Sequence, residues 1–394
     1  MSEITIRVIT SQEEFQSLEE IWHNLMQKCG QDCSIFQTHE RLSTWWRRFG
    51  EWKRLNVLII EREMEIIGII PLARACYRLG FIKLEALETI AESNCNYIGI
   101  VSEQNRDEVI DALFTYLEKE LDRNNLILKL IAIPEDSQLL NILQRKSAVF
   151  SKNLFFHEEV TTLAPYITLP TTWDEYFSSM GRKRRQLLRR ELRNLEKTHC
   201  VKYGQYTPEL QSEALTKFFK LHKERWLAAN VNGRFSQPEM KHYFRELSDI
   251  FQKKNWLHLS YLKIDSDIVS IIYSCIYNQT FYVFMTGRDI RYSEHSVGHL
   301  HFLFLIKDAI GKRLRELDLL KGMHPYKFYW AKSVRKYKCV IITKAGFYPS
   351  LRLKFIQAFL RLHEARQFSL RETYNLVLIK RRERKERKQM QLGY

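Results

Sequence analysis

The stretch LLKGMHPYKFYWAK, residues 319–332, sets Gly322, His324, Tyr326, Lys327 and Trp330 close together, with Asp318 just ahead of them. A solvated loop would favour Ser, Asn and Asp, whose side chains bond their own backbone. Here aromatic residues gather round Lys327 instead. That mixture suits the wall of a pocket for something bulky and partly anionic. A histidine in such a place titrates near neutral pH and can move a proton.

A second stretch upstream offers a different chemistry. The strand-like FYVFMTGRD runs into IRYSEHSVGHL, where Ser296, Val297, Gly298 and His299 open a helix. A strand that releases through a short loop into a helix N-terminus presents unpaired amides at the positive end of the helix dipole, a ready place for phosphate. Gly298 would let a backbone approach a pyrophosphate with no Cβ in the way. Ser296 is the expected N-cap.

The elements that must position these residues can be read from hydrophobic period. Ser11 and Glu14 form a capping box that predicts a helix to about Lys28. LNVLIIEREMEIIGIIPLA predicts two strands joined near Glu61–Glu63. A strand near Asn96–Val101, a helix from about Arg106 to Leu121 and the strand NLILKLIAI follow. The second half repeats this order behind longer helices: strands in WLHLSYLKIDSDIVSIIYSCIYNQTFYVFMTGRD, a helix Val297–Lys312 and a strand Leu314–Leu320. The pattern predicts a duplicated α/β domain, with domains at residues 1–165 and 166–350. Residues 351–394 read as a basic amphipathic helix and charged tail, with Leu353, Ile356, Phe359, Leu360 and Leu370 on one stripe. Such a helix either packs on the preceding domain or lies on an anionic membrane surface.

Length and composition agree. A chain of 394 residues with 45% hydrophobic and 13% aromatic residues can bury two cores. Its formal charge of +16 implies attraction to something acidic: nucleic acid, anionic lipid or a phosphate-bearing substrate. Seven cysteines, an odd number set mostly in apolar runs, read as reduced core thiols, and no metal is expected. The N-terminus lacks the shape of a signal peptide, and no apolar run approaches the roughly 20 residues of a membrane span, which predicts a cytoplasmic protein.

The run from Ser296 to Trp330 resembles the CelD/BcsL-like acyltransferases of the GNAT superfamily. In that family a Ser-Pro-Gly loop opens a helix, and a strand bearing Asp leads to Gly-x-x-x-Tyr-Lys-x-x-Trp. The matching positions are Ser296, Val297, Gly298, Asp318, Gly322, Tyr326, Lys327 and Trp330. FQTHERLSTWWRRFG, NCNYIGIV with Tyr97, WDEYFSSMGRKRRQLLRREL, and FKLHKERW with His222, Arg225 and Trp226 match more loosely. Val297 replaces the family's proline, and Asn96 stands where it commonly has Asp.

The resemblance implies two tandem GNAT-like domains, each a mixed, mostly antiparallel sheet flanked by helices, as in the FemABX aminoacyltransferases. It further implies transfer of an acyl group from acetyl-CoA or another acyl-CoA to an amine or hydroxyl of a cell-envelope polysaccharide precursor. On this reading Tyr326 gives a proton to the leaving group or orients the acceptor, and Lys327 holds phosphate or developing negative charge. His324 and His222 are candidate bases, and Asp318 orients Lys327 or caps the strand end. Ser296–His299 hold the donor, and Trp330, Trp226, Tyr97 and Gly322 line the acceptor. The basic run Arg182–Arg193 admits an aminoacyl-tRNA donor as an alternative. A non-catalytic GNAT-fold scaffold at a membrane and a nucleic-acid-binding protein are the other readings.

Overall fold

The computed structural model describes residues 3–29, 33–79, 81–91, 99–102, 106–123, 126–228, 233–346 and 349–367. By packing, the chain divides into two units. Residues up to Leu163 together with those from Arg335 onward form one, and Ala164–Val334 form the other.

The first unit opens with β1 (Ile4–Ile9), α1 (Gln12–Ser17) and α2 (Glu19–Cys29). Ser11 caps α1 by accepting from Glu14 N, but the helical run breaks at Leu18 where one continuous helix was expected. Then come α3 (His39–Phe49), β2 (Lys53–Leu55), β3 (Val57–Arg62), β4 (Glu65–Ile70), β5 (Leu72–Leu79), β6 (Ile82–Thr89) and β7 (Val101–Ser102). α4 (Arg106–Arg123), β8 (Leu126–Pro134), α5 (Gln138–Val149) and β9 (Leu154–Thr168) follow. Glu63 and Met64, both with positive φ, turn β3 into β4 within one residue of the expected place.

The second unit takes the last residues of β9, then α6 (Trp173–Ser179), α7 (Arg182–Glu196), β10 (Val201–Gln205), α8 (Gln211–Ala228) and α9 (Pro238–Lys253). β11 (Leu257–Ile264), β12 (Asp267–Tyr277), β13 (Thr280–Arg288), α10 (Val297–Gly311), β14 (Glu316–Asp318) and α11 (Pro325–Trp330) complete it. The chain then returns to the first unit with β15 (Ser333–Lys344) and α12 (Pro349–Gln367).

In the first unit, strands run β1-β3-β4-β7 and β9-β15-β8-β6-β5-β2. Val109, Leu113 and Leu117 of α4 and Leu140 of α5 pack with Leu58, Leu87, Leu128 and Val340 in one hydrophobic core. The stripe read on the basic C-terminal helix is spent on protein: Leu353 meets Cys339 and Ile341, while Ile356, Phe359 and Leu360 meet Leu84, Ala86 and Ile127. Leu370 and the rest of the tail lie outside the described residues. The cysteines divide, with Cys33, Cys275 and Cys339 buried but Cys76 and Cys200 exposed, so the reading of all as core thiols does not hold for those two. No helix among the described residues is long and apolar enough to cross a membrane.

In the second unit the order is β10-β11-β12-β13-β14-β9, with β13–β14 the parallel pair and its neighbours antiparallel. α10 is apolar nearly all round and buried accordingly, with Val297, Leu300, Leu305, Ile306 and Ala309 at 0% exposure. Polar exceptions are tied into a network beneath it. His301, fully buried, bonds Ser260 Oγ at 2.9 Å and Ser270 Oγ at 2.8 Å. Beside it His258 Nε2 and Tyr203 OH both reach Asp308 Oδ2, at 3.0 and 3.2 Å.

Burial, helped by the charge of His258, holds the His301 imidazole down to about 3. The folded ring therefore stays neutral at pH values where the unfolded one, titrating near ~6.5, has taken a proton. Stability from this group is full above that value and is lost as pH falls toward 3, with a limiting slope of about 1.4 kcal/mol per pH unit. Urea unfolding should accordingly give a lower midpoint at pH 5 than at pH 7.5, before carboxylates begin to titrate. A midpoint that does not move over that range would show that His301 is not held neutral.

Candidate active site

The site is built where two strands part. Parallel pairing of β13 with β14 covers only Thr280–Tyr282 against Glu316–Asp318. β13 continues to Arg288, bulged between Val283 and Met285. Its last residues lead through a 3₁₀ segment, Ile290–His295, into α10. The expected strand Leu314–Leu320 is reduced to β14, and the chain after it turns through Leu320 and Gly322, both at positive φ (62° and 114°). Only a glycine adopts the second of these without strain.

That turn is clamped from two sides. Asp318 Oδ1 accepts from Leu320 N at 2.7 Å, and the Lys327 ammonium donates to Leu320 O at 2.9 Å and Lys321 O at 2.7 Å. Both side chains are buried, Asp318 at 3% and Lys327 at 4% exposure. Where the sequence reads as a strand running out into a loop, PYKFYW forms the short helix α11, with Pro325 at its first position and His324 as its exposed N-cap residue. Trp330 is buried, its ring against Phe302, His299 and Tyr329, and among the described residues its indole nitrogen has no hydrogen-bond partner. Tyr326 is half-buried between Phe302 and His324. Burial raises its phenol to about 12, against the opposing pull of the Arg225 guanidinium.

At the start of α10, Ser296 occupies the N-cap position in the left-handed region, φ 52°, and makes no side-chain cap. Its hydroxyl instead donates to Glu191 Oε1 at 3.2 Å. The expected serine cap is thus absent, and the first-turn amides receive no side-chain oxygen from Ser296. Val297 is fully buried in the core, so only its backbone can face a ligand. Gly298 faces Arg288: a Cβ there would stand 3.7 Å from the Arg288 guanidinium. The His299 ring lies 4.4 Å from the Tyr329 ring at a tilt of 54°, and its buried Nδ1 has no hydrogen-bond partner among the described residues. Burial lowers the His299 imidazole.

On α8, His222 lies in an aromatic cluster with Phe218 and Phe235 and is 4% exposed. The Trp226 indole N–H donates to its Nε2 at 3.0 Å. Burial, then the charges of Arg225 and Arg234, hold the ring down to about 3. A neutral imidazole has one lone-pair nitrogen, and here it is taken. Arg225, one turn on, donates to Thr286 Oγ1 at 2.8 Å and lies over the Trp226 ring at 5.8 Å. Tyr326, Trp330 and His299 thus gather around Phe302 and Tyr329, Gly298 and Arg225 meet the end of β13 at Arg288 and Thr286, Lys327 and Asp318 hold the adjoining turn, and His222 sits in the helix packing behind. Tyr97 lies outside the described residues. Among the described residues no group of three or more His, Cys, Asp or Glu could hold a metal ion.

Comparison with known proteins follows the same outline. Residues 182–328 match the family model described as an acetyltransferase (GNAT) domain. No curated protein matches the chain. Among solved structures it is similar to FemX, at TM-score 0.58 and 10% identity over 86% of this chain and 96% of that one. It is also similar to a conserved protein of unknown function from Bacteroides thetaiotaomicron, at TM-score 0.50 and 12% identity over 86% and 100%. A third likeness is to the C-terminal domain of a putative lysylphosphatidylglycerol synthetase from Agrobacterium fabrum, at TM-score 0.50 and 9% identity over 84% and 92%. The fold fits a two-domain GNAT-like architecture, and the match to the acetyltransferase (GNAT) model lies within the second unit.

Proposed function

We propose that the second unit transfers an acyl group from acetyl-CoA or another acyl-CoA to an amine or hydroxyl, on a cell-envelope polysaccharide precursor or a related small molecule. The observation that carries this reading is Tyr326: a phenol kept protonated by burial, beside Arg225, at the open end of β13 and close to a helix start that no serine caps. The donor supplies a thioester carbonyl when bound, and its phosphates fit the first-turn amides of α10 with Gly298 leaving room for them. Tyr326 holds a proton at Oη where a leaving sulfur needs one. His324, exposed at the start of α11, is the imidazole placed to accept the acceptor's proton, since the lone pair of His222 is engaged. Trp330 and Trp226 wall the site. Lys327 and Asp318 keep the turn through Gly322 in shape and so fix the height of α11.

A second reading, transfer from an aminoacyl-tRNA, draws support from the exposed arginines Arg182, Arg189, Arg190 and Arg193 of α7, which could follow a phosphate backbone. Titration calorimetry at moderate salt with CoA and with bulk tRNA separates the two, and tight tRNA binding without CoA binding would reverse the order. Peripheral attachment to an anionic membrane draws on the outward face of α12, where Leu351, Phe355 and Leu362 are exposed beside Arg361.

Tyr326→Phe should lower thiol release from acyl-CoA by about 10²- to 10⁴-fold, the usual worth of a positioned proton donor, with CoA affinity unchanged. Full turnover in that variant would remove Tyr326 from the chemistry. Lys327→Met should act differently. It leaves two buried carbonyls without their donor, so urea unfolding should show a loss of about 1–3 kcal/mol. An unchanged unfolding midpoint would free Lys327 from the clamp and return it to the list of charge-stabilising groups.

A further inference from the structure

Two arginines of the second unit are brought together in a way the acyl-transfer chemistry does not require. Thr286 and Arg288 pair with Ile272 and Ser270 across β12–β13, and paired residues share a face of the sheet. That face is the one under α10, since Ser270 Oγ lies 2.8 Å from His301 Nδ1. α8 packs on the opposite face, where a Cβ at Gly287 would come within 3.1 Å of His222 N. Arg225 nevertheless starts from α8 and reaches Thr286 Oγ1. Its side chain therefore passes the edge of β13 that β14 leaves uncovered.

The result is two half-buried guanidiniums within each other's field. Burial lowers Arg225, and the charge of Arg288 lowers it further. Among the described residues neither arginine has a carboxylate partner. Arg225 hydrogen-bonds only Thr286 among the described residues and lies over the Trp226 ring, and the buried Nε of Arg288 has no acceptor. Like charges taken partly out of water with N–H groups left over are unfavourable by themselves. The arrangement becomes favourable when an oxyanion accepts from both, because charge-assisted bonds to a guanidinium are strong and directional.

We propose that Arg225 and Arg288 form a subsite for an oxyanion, phosphate or carboxylate, carried by the acceptor and bound beside Tyr326 together with the donor. This rests on the acyltransferase reading for the acceptor's part in it. The donor's phosphates have the α10 amides, which Arg288 borders at Gly298, whereas Arg225 stands on the Tyr326 side, so an anion held by both lies between the donor's phosphates and the reacting end. The acceptor would thus be an acidic molecule, anchored by its anion while its amine or hydroxyl meets the acyl carbon.

The test uses the full chain and inorganic phosphate as probe. Phosphate binding is followed by calorimetry and by thermal unfolding at constant ionic strength against chloride, with and without saturating CoA. Phosphate should bind and raise the unfolding temperature in the presence of CoA, and Arg288→Gln and Arg225→Gln should each weaken it at least tenfold. Arg288→Gln, which relieves the repulsion, should unfold no earlier than wild type without phosphate. Should Arg225→Gln fail to fold, Arg225→Lys keeps the charge but loses the fork and should still weaken binding. Phosphate protection equal in wild type and Arg288→Gln, or no protection beyond chloride, overturns the subsite. Protection that vanishes as CoA saturates assigns the anion to the donor and overturns the acceptor's claim to it. Phosphate bound through both arginines in a protein that does not bind CoA upholds the subsite and defeats the acyl-CoA reading instead.

Discussion

The second unit depends on a pairing that stops. β13 and β14 are hydrogen-bonded in parallel only as far as Tyr282 and Asp318, and from there β13 runs on with that edge uncovered by β14. A strand edge inside a folded unit is a liability unless something uses or covers it. Here the side chain of Arg225 crosses it, α10 begins beyond it, and α11 stands over the turn that β14 makes in leaving. Had the two strands stayed paired to their ends, Thr286 would have had a strand for a neighbour in place of a guanidinium.

What holds the strands apart is local and polar. Asp318 ties the backbone of Leu320, Lys327 ties the successive carbonyls of Leu320 and Lys321, and Gly322 supplies a backbone angle that other residues resist. The charges of these two residues are spent on main-chain groups, which explains why both can be nearly inaccessible. The aromatic residues of α11 then form the surface that the bend presents. Tyr326 and Trp330 lie one turn apart on that helix and so share a face, as their common neighbour Phe302 shows.

Much of this was legible in the sequence, and the failures have physical causes. The β3–β4 hairpin announced itself through alternation and through its charged turn, made at Glu63 and Met64, both at positive φ. α10 was legible as a helix of the right extent, but not that its serine would cap nothing, because the competing partner Glu191 comes from α7. α11 was missed because an aromatic run after a strand reads as a loop lining a pocket, although Pro325 marked a helix start. The stripe on α12 was recognised, yet an amphipathic pattern does not say what it faces. Arg225 was named only as part of a matching stretch and Arg288 stood unremarked at the end of another, and neither was given a role, since the lack of an acid near a buried arginine is a property of space and has no local signature.

The path of the chain carries a consequence for how the protein comes into being. The first unit is interrupted: its sheet takes β15 beside β8, and its outer face takes α12, after the whole second unit has intervened. During synthesis the early strands must therefore wait with Leu84, Ala86 and Ile127 uncovered, while Ala164–Val334 emerges as one uninterrupted segment able to complete its own core first. The part begun first is finished last, and the residues just before the charged tail are the ones that close it.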